Sequence, residues 1–218
     1  MKIVFCGYRN WSINLFNKLK AKYNKVNFNL IINNKEFKLF DFSGTNFIIC
    51  AGWSWIIPNN IVDNYLVIVT HPSDLPAYAG GSPIQNQIIN GIVKTKNTLF
   101  RLSSVLDGGE IIYKNNLLLE GNIENIFKNF EDSSYKLIVK FINNYPNNPK
   151  IKQNIQNIHH VKRLKPKDSE LTPDKISKMT CKELYNFIRC RTNPYPNVFI
   201  KDKLGILKFN DIDFEPNE

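Results

Sequence analysis

The sequence predicts an α/β fold, with a Rossmann-like, mostly parallel sheet, helices on its faces and a small C-terminal α+β extension. Short apolar runs rich in β-branched residues are typical of buried parallel strands, and they alternate with segments of helical periodicity through residues 1–150. Two prolines, Pro146 and Pro149, then interrupt the pattern, and the chain just beyond them is polar and basic. We therefore expect a main domain over residues 1–150 and a small extension over residues 151–218 that packs on it.

The first half of the main domain should contain four strands and two helices. The strands are expected at residues 2–6, 26–32, 47–51 and 66–69. A helix should follow the first strand, because Trp11, Leu15, Leu19 and Tyr23 lie four residues apart. A shorter helix should follow Pro58.

The second half should continue with a helix, two extended segments and a long helix. Ser82 as N-cap and Pro83 at the first helical position predict a helix that ends at Gly91. Residues 97–102 are expected to form a strand, and residues 111–119 an extended segment or a hairpin that turns at positions 114–116. Apolar residues then repeat at helical spacing from Ile123 to Phe141, and we assign the aromatic stripe of this helix to the core.

The extension should hold one helix and two short strands. Thr180 and Glu183 form a capping-box pattern before the helix, and the strands are expected at residues 198–201 and 205–209. His159 and His160 have no third ligand at a suitable spacing, so we expect no metal site there.

His71 is the leading candidate for polar chemistry. It is the first side chain beyond the expected strand end at Thr70, and open α/β sheets build their sites at the carboxyl ends of strands. The only other histidines are the adjacent pair at 159–160.

The turn of Gly7, Tyr8, Arg9 and Asn10 is a candidate phosphate site. Backbone N–H groups point outward at the start of the following helix, and Arg9 would add a bidentate cation. A plain turn with an exposed arginine is the alternative, and the GxGxxG fingerprint of dinucleotide sites is absent from the sequence.

Five motifs occur in an order that resembles a known family. GYRNW, GWSWIIP, THPSDLP, GGSPIQ and LDGGEI are similar to the formyltransferases that use formyl-tetrahydrofolate. The likeness is strongest to the branch that N-formylates nucleotide-linked amino sugars, and it extends to the catalytic domains of methionyl-tRNA formyltransferases. KRLKPKDSEL and IRCRTNPYPN resemble the tail of the sugar branch.

The resemblance implies the formyltransferase fold, with residues 1–150 as the catalytic domain, and N10-formyltetrahydrofolate as co-substrate without a metal. It implies a pterin pocket made by Trp53, Trp55, Leu75, Val105 and Leu106. The two tryptophans beside a strand end could line a slot for a flat heterocycle, although either could simply cap the core.

The resemblance also implies that His71 and Asp107 are catalytic. We expect His71 to donate to the developing oxyanion and to handle a proton, and Asp107 to orient it and accept a proton. The residues by themselves are equally compatible with a helix-capping or loop-bonded histidine and a turn aspartate. Gly81, Ser82 and Gln85 should shape the mouth where the acceptor amine enters.

One position departs from the family pattern. The family usually carries an asparagine two residues before the histidine, and Val69 stands there in this chain. One oxyanion donor is worth about 3–4 kcal/mol of transition-state stabilisation. Either another group replaces it, with Thr70 and Ser73 nearest in sequence, or the enzyme is slower or inactive.

The expected acceptor is a dTDP- or UDP-linked 4-amino-4,6-dideoxy sugar used in surface-glycan or lipopolysaccharide biosynthesis, its phosphate held by Tyr8, Arg9 and Asn10. Methionyl-tRNA, an amino acid, or a non-catalytic folate- or nucleotide-binding role are the alternatives.

Nucleic acid is disfavoured, because residues 161–218 look short for an RNA-binding domain and their basic residues lack interleaved aromatics. A homodimer formed through the C-terminal elements is left open.

The composition is compatible with a cytoplasmic enzyme that binds an anionic substrate. A net charge of +10 favours an anionic partner such as a nucleotide, a polyglutamylated folate or nucleic acid, although a solvated lysine-rich surface is equally compatible. Four cysteines without metal spacing indicate reduced thiols. With no signal peptide or membrane-spanning run in the sequence, we expect a soluble cytoplasmic protein.

Overall fold

A computed structural model of the chain describes residues 1–217 and is built around a six-stranded sheet. In chain order the strands are β1 (Lys2–Cys6), β2 (Asn27–Ile31), β3 (Phe47–Cys50), β4 (Val67–His71), β5 (Ala79–Gly80), β6 (Lys94–Arg101), β7 (Ile111–Leu118), β8 (His160–Val161), β9 (Phe199–Lys201) and β10 (Ile206–Lys208). The α-helices are α1 (Asn10–Lys22), α2 (Asn34–Leu39), α3 (Asn59–Asn64), α4 (Pro83–Ile89), α5 (Ile123–Asn144), α6 (Pro173–Ser177) and α7 (Cys181–Arg189). The predicted fold class is confirmed.

The sheet changes direction at β4. Its strand order is β2-β1-β3-β4-β6-β7, and the first four strands are parallel while β6 and β7 run antiparallel. β3 stops at Cys50, which pairs with Val69, so Thr70 and His71 continue with only β6 beside them. The parallel side of β4 is therefore open at its carboxyl end.

Two apolar layers cover the two faces of the sheet. On one face, Ile3, Phe5 and Ile68 pack with α1, α4 and α5; on the other, Val4 and Val67 pack with α2 and α3. Because side chains alternate along a strand, Thr70 belongs to the first face, and Val69 and His71 belong to the second. The carboxyl end of β4 thus presents a different polar group to each face.

The segment 111–118 is one continuous strand, so the alternative of a hairpin turning at positions 114–116 is wrong. Lys114, Asn115 and Asn116 are all paired with β6, and β7 is the outer strand of the sheet. Polar residues are tolerated there because one edge of the strand is solvated. Helix α2, capped by the Asn33 side chain, was not predicted, because Phe37 is its only buried residue.

Ser82 occupies the N-cap position of α4 but does not cap it. The residue has a left-handed backbone with a φ of 51°, and its side chain makes no capping bond. Its Oγ instead accepts a hydrogen bond from the backbone N–H of Leu164 at 3.0 Å. The predicted capping role is wrong because a distant segment uses this hydroxyl.

The C-terminal residues make specific contacts with the first 150. β8 pairs in parallel with β5, and the buried guanidinium of Arg189 donates to the carbonyls of Leu119 and Gly121, each at 2.8 Å. The capping box of Thr180 and Glu183 is present at the start of α7. The division into two domains stays a prediction. Within residues 1–217, every helix falls short of the length or the apolar character that a membrane crossing requires.

Candidate active site

A cavity of about 820 Å³ lies at the carboxyl ends of β3 and β4 and reaches both faces of the sheet. We call its two parts the His71 side and the Thr70 side. The His71 side is lined by Cys50, Trp53, Ile57, Val62, Val69, His71, Leu102, Leu106 and Asp107. The Thr70 side is lined by Arg9, Trp11, Thr70, Gly81, Ser82, Ile84, Gln85, Phe127, Phe130, Arg163, Leu164 and Tyr195.

His71 and Asp107 meet in the cavity wall, as the sequence predicted. The imidazole Nδ1 lies 3.6 Å from Oδ2 of Asp107, and both side chains are almost buried, with 8% and 12% of their surface exposed. The same Oδ2 accepts a hydrogen bond from the Gly80 backbone N–H at 2.7 Å. Two separate parts of the chain therefore place the carboxylate beside the ring.

A backbone carbonyl fixes the orientation of the imidazole. Nε2 donates to the Tyr78 carbonyl at 2.9 Å, which leaves Nδ1 facing the carboxylate. A proton added to Nδ1 would therefore meet an anionic partner, so the pair can take up a proton released during a reaction. Since both ring nitrogens face protein oxygens, direct donation from His71 to an oxyanion stays a prediction.

Aromatic side chains form one wall beside the His71 side. The Trp53 and Trp55 rings lie 4.7 Å apart between centroids, and Trp55 lies 4.9 Å from Tyr8. The Nε1 of Trp53 is buried and has no hydrogen-bond partner among residues 1–217. At the rim, Ile56 and Leu106 are 92% and 61% exposed. This wall suits a flat heterocycle that brings its own hydrogen-bond acceptor.

Nine of the predicted site residues line the cavity: Arg9, Trp53, Trp55, His71, Gly81, Ser82, Gln85, Leu106 and Asp107. The other four lie outside the lining. Leu75 is fully buried against Phe100, so it belongs to the core. The Val105 carbonyl accepts from Gly108 within a turn, and Asn10 is exposed as the first residue of α1. Tyr8 touches the lining through its 2.9 Å hydrogen bond to Ser54.

Sequence reasoning missed residues that close the Thr70 side. Phe130 belongs to the core and Phe127 packs against it, as predicted, and both also line the cavity, which was not predicted. Arg163 and Tyr195 come from the C-terminal part, where only the tail motifs signalled a role. Burial raises the pKa of the Tyr195 hydroxyl, which lies beside the Gln85 side chain.

Gly81 explains how Arg163 reaches the cavity. A Cβ on Gly81 would lie 2.5 Å from Cβ and 2.6 Å from Cα of Arg163, so a side chain at this position would collide with backbone. The Gly81 N–H also donates to the Val161 carbonyl at 3.1 Å. The glycine lets the segment around Arg163 pack directly on the loop that carries the site.

A family model described as formyl transferase matches residues 29–142, which is more than half of the chain. This chain belongs to the formyl transferase family. The predicted family is confirmed, and the five motifs that suggested it lie around the cavity or in the elements that support it.

Among relatives of this formyl transferase, the methionyl-tRNA formyltransferase of Campylobacter lari is 29% identical over 174 residues, which are 79% of this chain and 55% of that protein. The chain therefore spans about half the length of the curated relatives it matches. The structure of a methionyl-tRNA formyltransferase from Clostridium thermocellum is similar with a TM-score of 0.89 and 30% identity, covering 99% of this chain and 94% of that one.

The fold is shared more widely. The structure of a 4-N formyltransferase from Francisella tularensis is similar with a TM-score of 0.77, and the match covers 98% of this chain and 99% of that one. At 19% identity this likeness shows the fold alone.

Proposed function

We propose that this member of the formyl transferase family moves a formyl group from N10-formyltetrahydrofolate to the amine of a nucleotide-linked amino sugar. The observation that carries the proposal is the pairing of Asp107 and His71 in one cavity, with an aromatic wall on one side and cationic side chains on the other. Each part has a chemical task in an amine formylation.

The His71 side suits the co-substrate. The unpartnered Nε1–H of Trp53 can donate to a pterin acceptor, and the exposed Ile56 and Leu106 can cover an aromatic ring. These residues hold the one-carbon donor next to His71. The family resemblance supports a folate in this place.

The Thr70 side suits a small anionic acceptor. Arg9 and Arg163 come from opposite ends of the chain and line the same half of the cavity, together with the rings of Trp11 and Tyr195. Guanidinium groups bind phosphate oxygens through paired hydrogen bonds, and aromatic rings stack on a base or a sugar. A nucleotide-linked sugar offers all of these groups.

The reaction then needs a proton acceptor and a water-poor site. As the neutral amine attacks the formyl carbon, the carbonyl oxygen gains negative charge and the nitrogen becomes acidic. The pair formed by Nδ1 of His71 and Asp107 can take up this proton. When the tetrahedral intermediate collapses, the bond between the formyl carbon and N10 breaks, and the same pair can return the proton to N10 of the departing tetrahydrofolate. The nearly complete burial of both side chains limits access of competing water.

Methionyl-tRNA is the second candidate acceptor. It is favoured by the relatives at 29% and 30% identity that carry this name. A comparison of the two acceptor classes at one enzyme concentration separates them.

The test incubates the purified protein with N10-formyltetrahydrofolate and either dTDP- and UDP-linked 4-amino-4,6-dideoxy sugars or charged methionyl-tRNA. Mass spectrometry should show one added formyl group on a sugar nucleotide. Formylation of methionyl-tRNA alone would replace the proposed acceptor. Folate binding in a thermal-shift titration without turnover on any amine would indicate a binding protein and overturn the proposal.

A further inference from the structure

The hydroxyl of Thr70 is a buried polar group without a protein partner. Thr70 is 6% exposed, and its buried Oγ1 makes no hydrogen bond among residues 1–217. Buried hydroxyls normally form a hydrogen bond, because a buried hydroxyl without a partner lowers the free energy of unfolding. Thr98 on the adjacent strand shows the usual arrangement, since its Oγ1 donates to the Ser73 carbonyl at 2.6 Å.

Thr70 lies where the two sides of the cavity meet. It directly precedes His71 on β4, and the strand alternation turns its side chain to the opposite face, toward the half that holds Arg9 and Phe130. Thr70 itself lines the cavity, beside the end of β3 at Cys50.

The side chains of Val69 and Ser73, which lie close to Thr70 in the sequence, cannot offer a free hydroxyl to a ligand. Val69 offers only methyl groups on the face that His71 shares. Ser73 is fully buried, and its Oγ is already used in a 2.7 Å hydrogen bond to the Ala77 carbonyl. Thr70 thus differs from Val69 and Ser73 in carrying a hydroxyl that no protein group among residues 1–217 binds.

We propose that Thr70 Oγ1 accepts a hydrogen bond from the acceptor's amine and directs the nitrogen lone pair at the formyl carbon. The inference rests on the proposed formyl transfer and adds a substrate-contacting residue to it. The hydroxyl orients the nucleophile, while the imidazole and carboxylate on the other side handle the proton.

The test compares Thr70→Val, which keeps the shape and removes the hydroxyl, with Thr70→Ser, which keeps the hydroxyl. In Thr70→Val, kcat/KM for the acceptor should fall about 10- to 100-fold, while KM for the formyl donor stays within about twofold. Thr70→Ser should restore most of the rate. The thermal midpoint of Thr70→Val should be equal to or above that of the wild type, because an unpaired hydroxyl has been removed.

Thr45→Val is the matched control. Thr45 Oγ1 is also buried without a partner among residues 1–217, but Thr45 does not line the cavity. Its replacement should leave the kinetics unchanged. A loss of rate in Thr45→Val equal to that in Thr70→Val would show that removing any such hydroxyl disturbs the enzyme, and would overturn the inference.

Formate release without an acceptor tests the assigned role. If the hydroxyl acts on the amine, Thr70→Val should hydrolyse the formyl donor as slowly as the wild type does. An equal fall in hydrolysis would mean that it acts on the formyl oxygen instead, and unchanged acceptor kinetics would mean that it has no role; both results overturn the inference. If the wild-type protein formylates no acceptor, the proposed formyl transfer is overturned, and the role of Thr70 is overturned with it.

Discussion

The two sides of the cavity are built in different ways. The His71 side comes from strand ends and loops between Cys50 and Asp107. The Thr70 side gathers Arg9, Phe127, Arg163 and Tyr195 from four distant parts of the chain. The position of His71 and Asp107 therefore depends on segments within about sixty residues of one another, whereas the shape of the Thr70 side depends on how remote segments pack.

The two sides also differ in charge. Asp107 gives the His71 side a carboxylate fixed by a backbone N–H, while the Thr70 side carries the guanidinium groups of Arg9 and Arg163. Substitutions on the first side should therefore reduce the chemical step, and substitutions on the second should weaken acceptor binding.

The largest effect is expected from His71→Asn or Asp107→Asn. Each removes one half of the proton-accepting pair, so kcat should fall about 10²- to 10⁴-fold. Folate binding measured by thermal shift should persist, because the aromatic wall is intact. His160→Asn changes an exposed histidine outside the cavity and should leave kcat unchanged. Wild-type rates in Asp107→Asn would contradict the pairing.

Arg163→Gln should weaken binding of the acceptor on the Thr70 side and leave the His71 side unchanged. Losing a charge-assisted hydrogen bond to phosphate should raise KM for the nucleotide sugar about tenfold or more, with KM for the folate unchanged. Lys162→Gln is the control, because Lys162 is exposed next to it but does not line the cavity. Equal effects of the two substitutions would indicate general electrostatic attraction in place of a specific contact.

Gly81→Ala should displace the segment around Arg163 that lines the Thr70 side. The new Cβ collides with the backbone at Arg163, and we expect the free energy of unfolding to fall by about 1–3 kcal/mol, with a higher KM for the acceptor. Gly205→Ala is the comparison, since no atom lies within 4 Å of its added Cβ. Urea unfolding and initial rates measure both effects. Unchanged stability in Gly81→Ala would mean that β8 is loosely held.

The smallest effect is expected from Val69→Asn, which adds a carboxamide on the His71 side. If that side lacks an oxyanion donor, kcat should rise up to about tenfold despite some loss of stability. Val69→Leu changes the bulk without adding a donor and should bring no gain. A fall in kcat in Val69→Asn would show that the apolar residue is needed where it stands.

Much of the sheet was predictable because β1, β3 and β4 are buried on both faces and must be apolar throughout. The same reasoning fails for β7, where an outer strand tolerates lysine and asparagine. It also misses α2, which buries only Phe37. Patterns of apolar residues in a sequence indicate which side chains are buried. A helix or strand that buries few side chains is therefore hard to predict from them.

The pairing of His71 and Asp107 was predictable because their motifs follow strands of one sheet. The positions of Arg163 and Tyr195 in the cavity wall were not predictable, because no local pattern tells which later segment will pair with the two residues of β5. The same holds for Thr70, whose hydroxyl is distinctive only because the folded protein leaves it unbonded.

The parallel pairing of β5 with β8 has a consequence for the order in which the protein matures. The paired strands lie about eighty residues apart in the chain, so the pairing can form only after residue 161 has been synthesised. A nascent chain that has released residue 107 from the ribosome already carries its imidazole and carboxylate, but one flank of the pocket is still open to water. Under the proposed function, selectivity for the acceptor should therefore arise after the pair of His71 and Asp107 is in place, when residues 160–195 have been synthesised and have packed on the site.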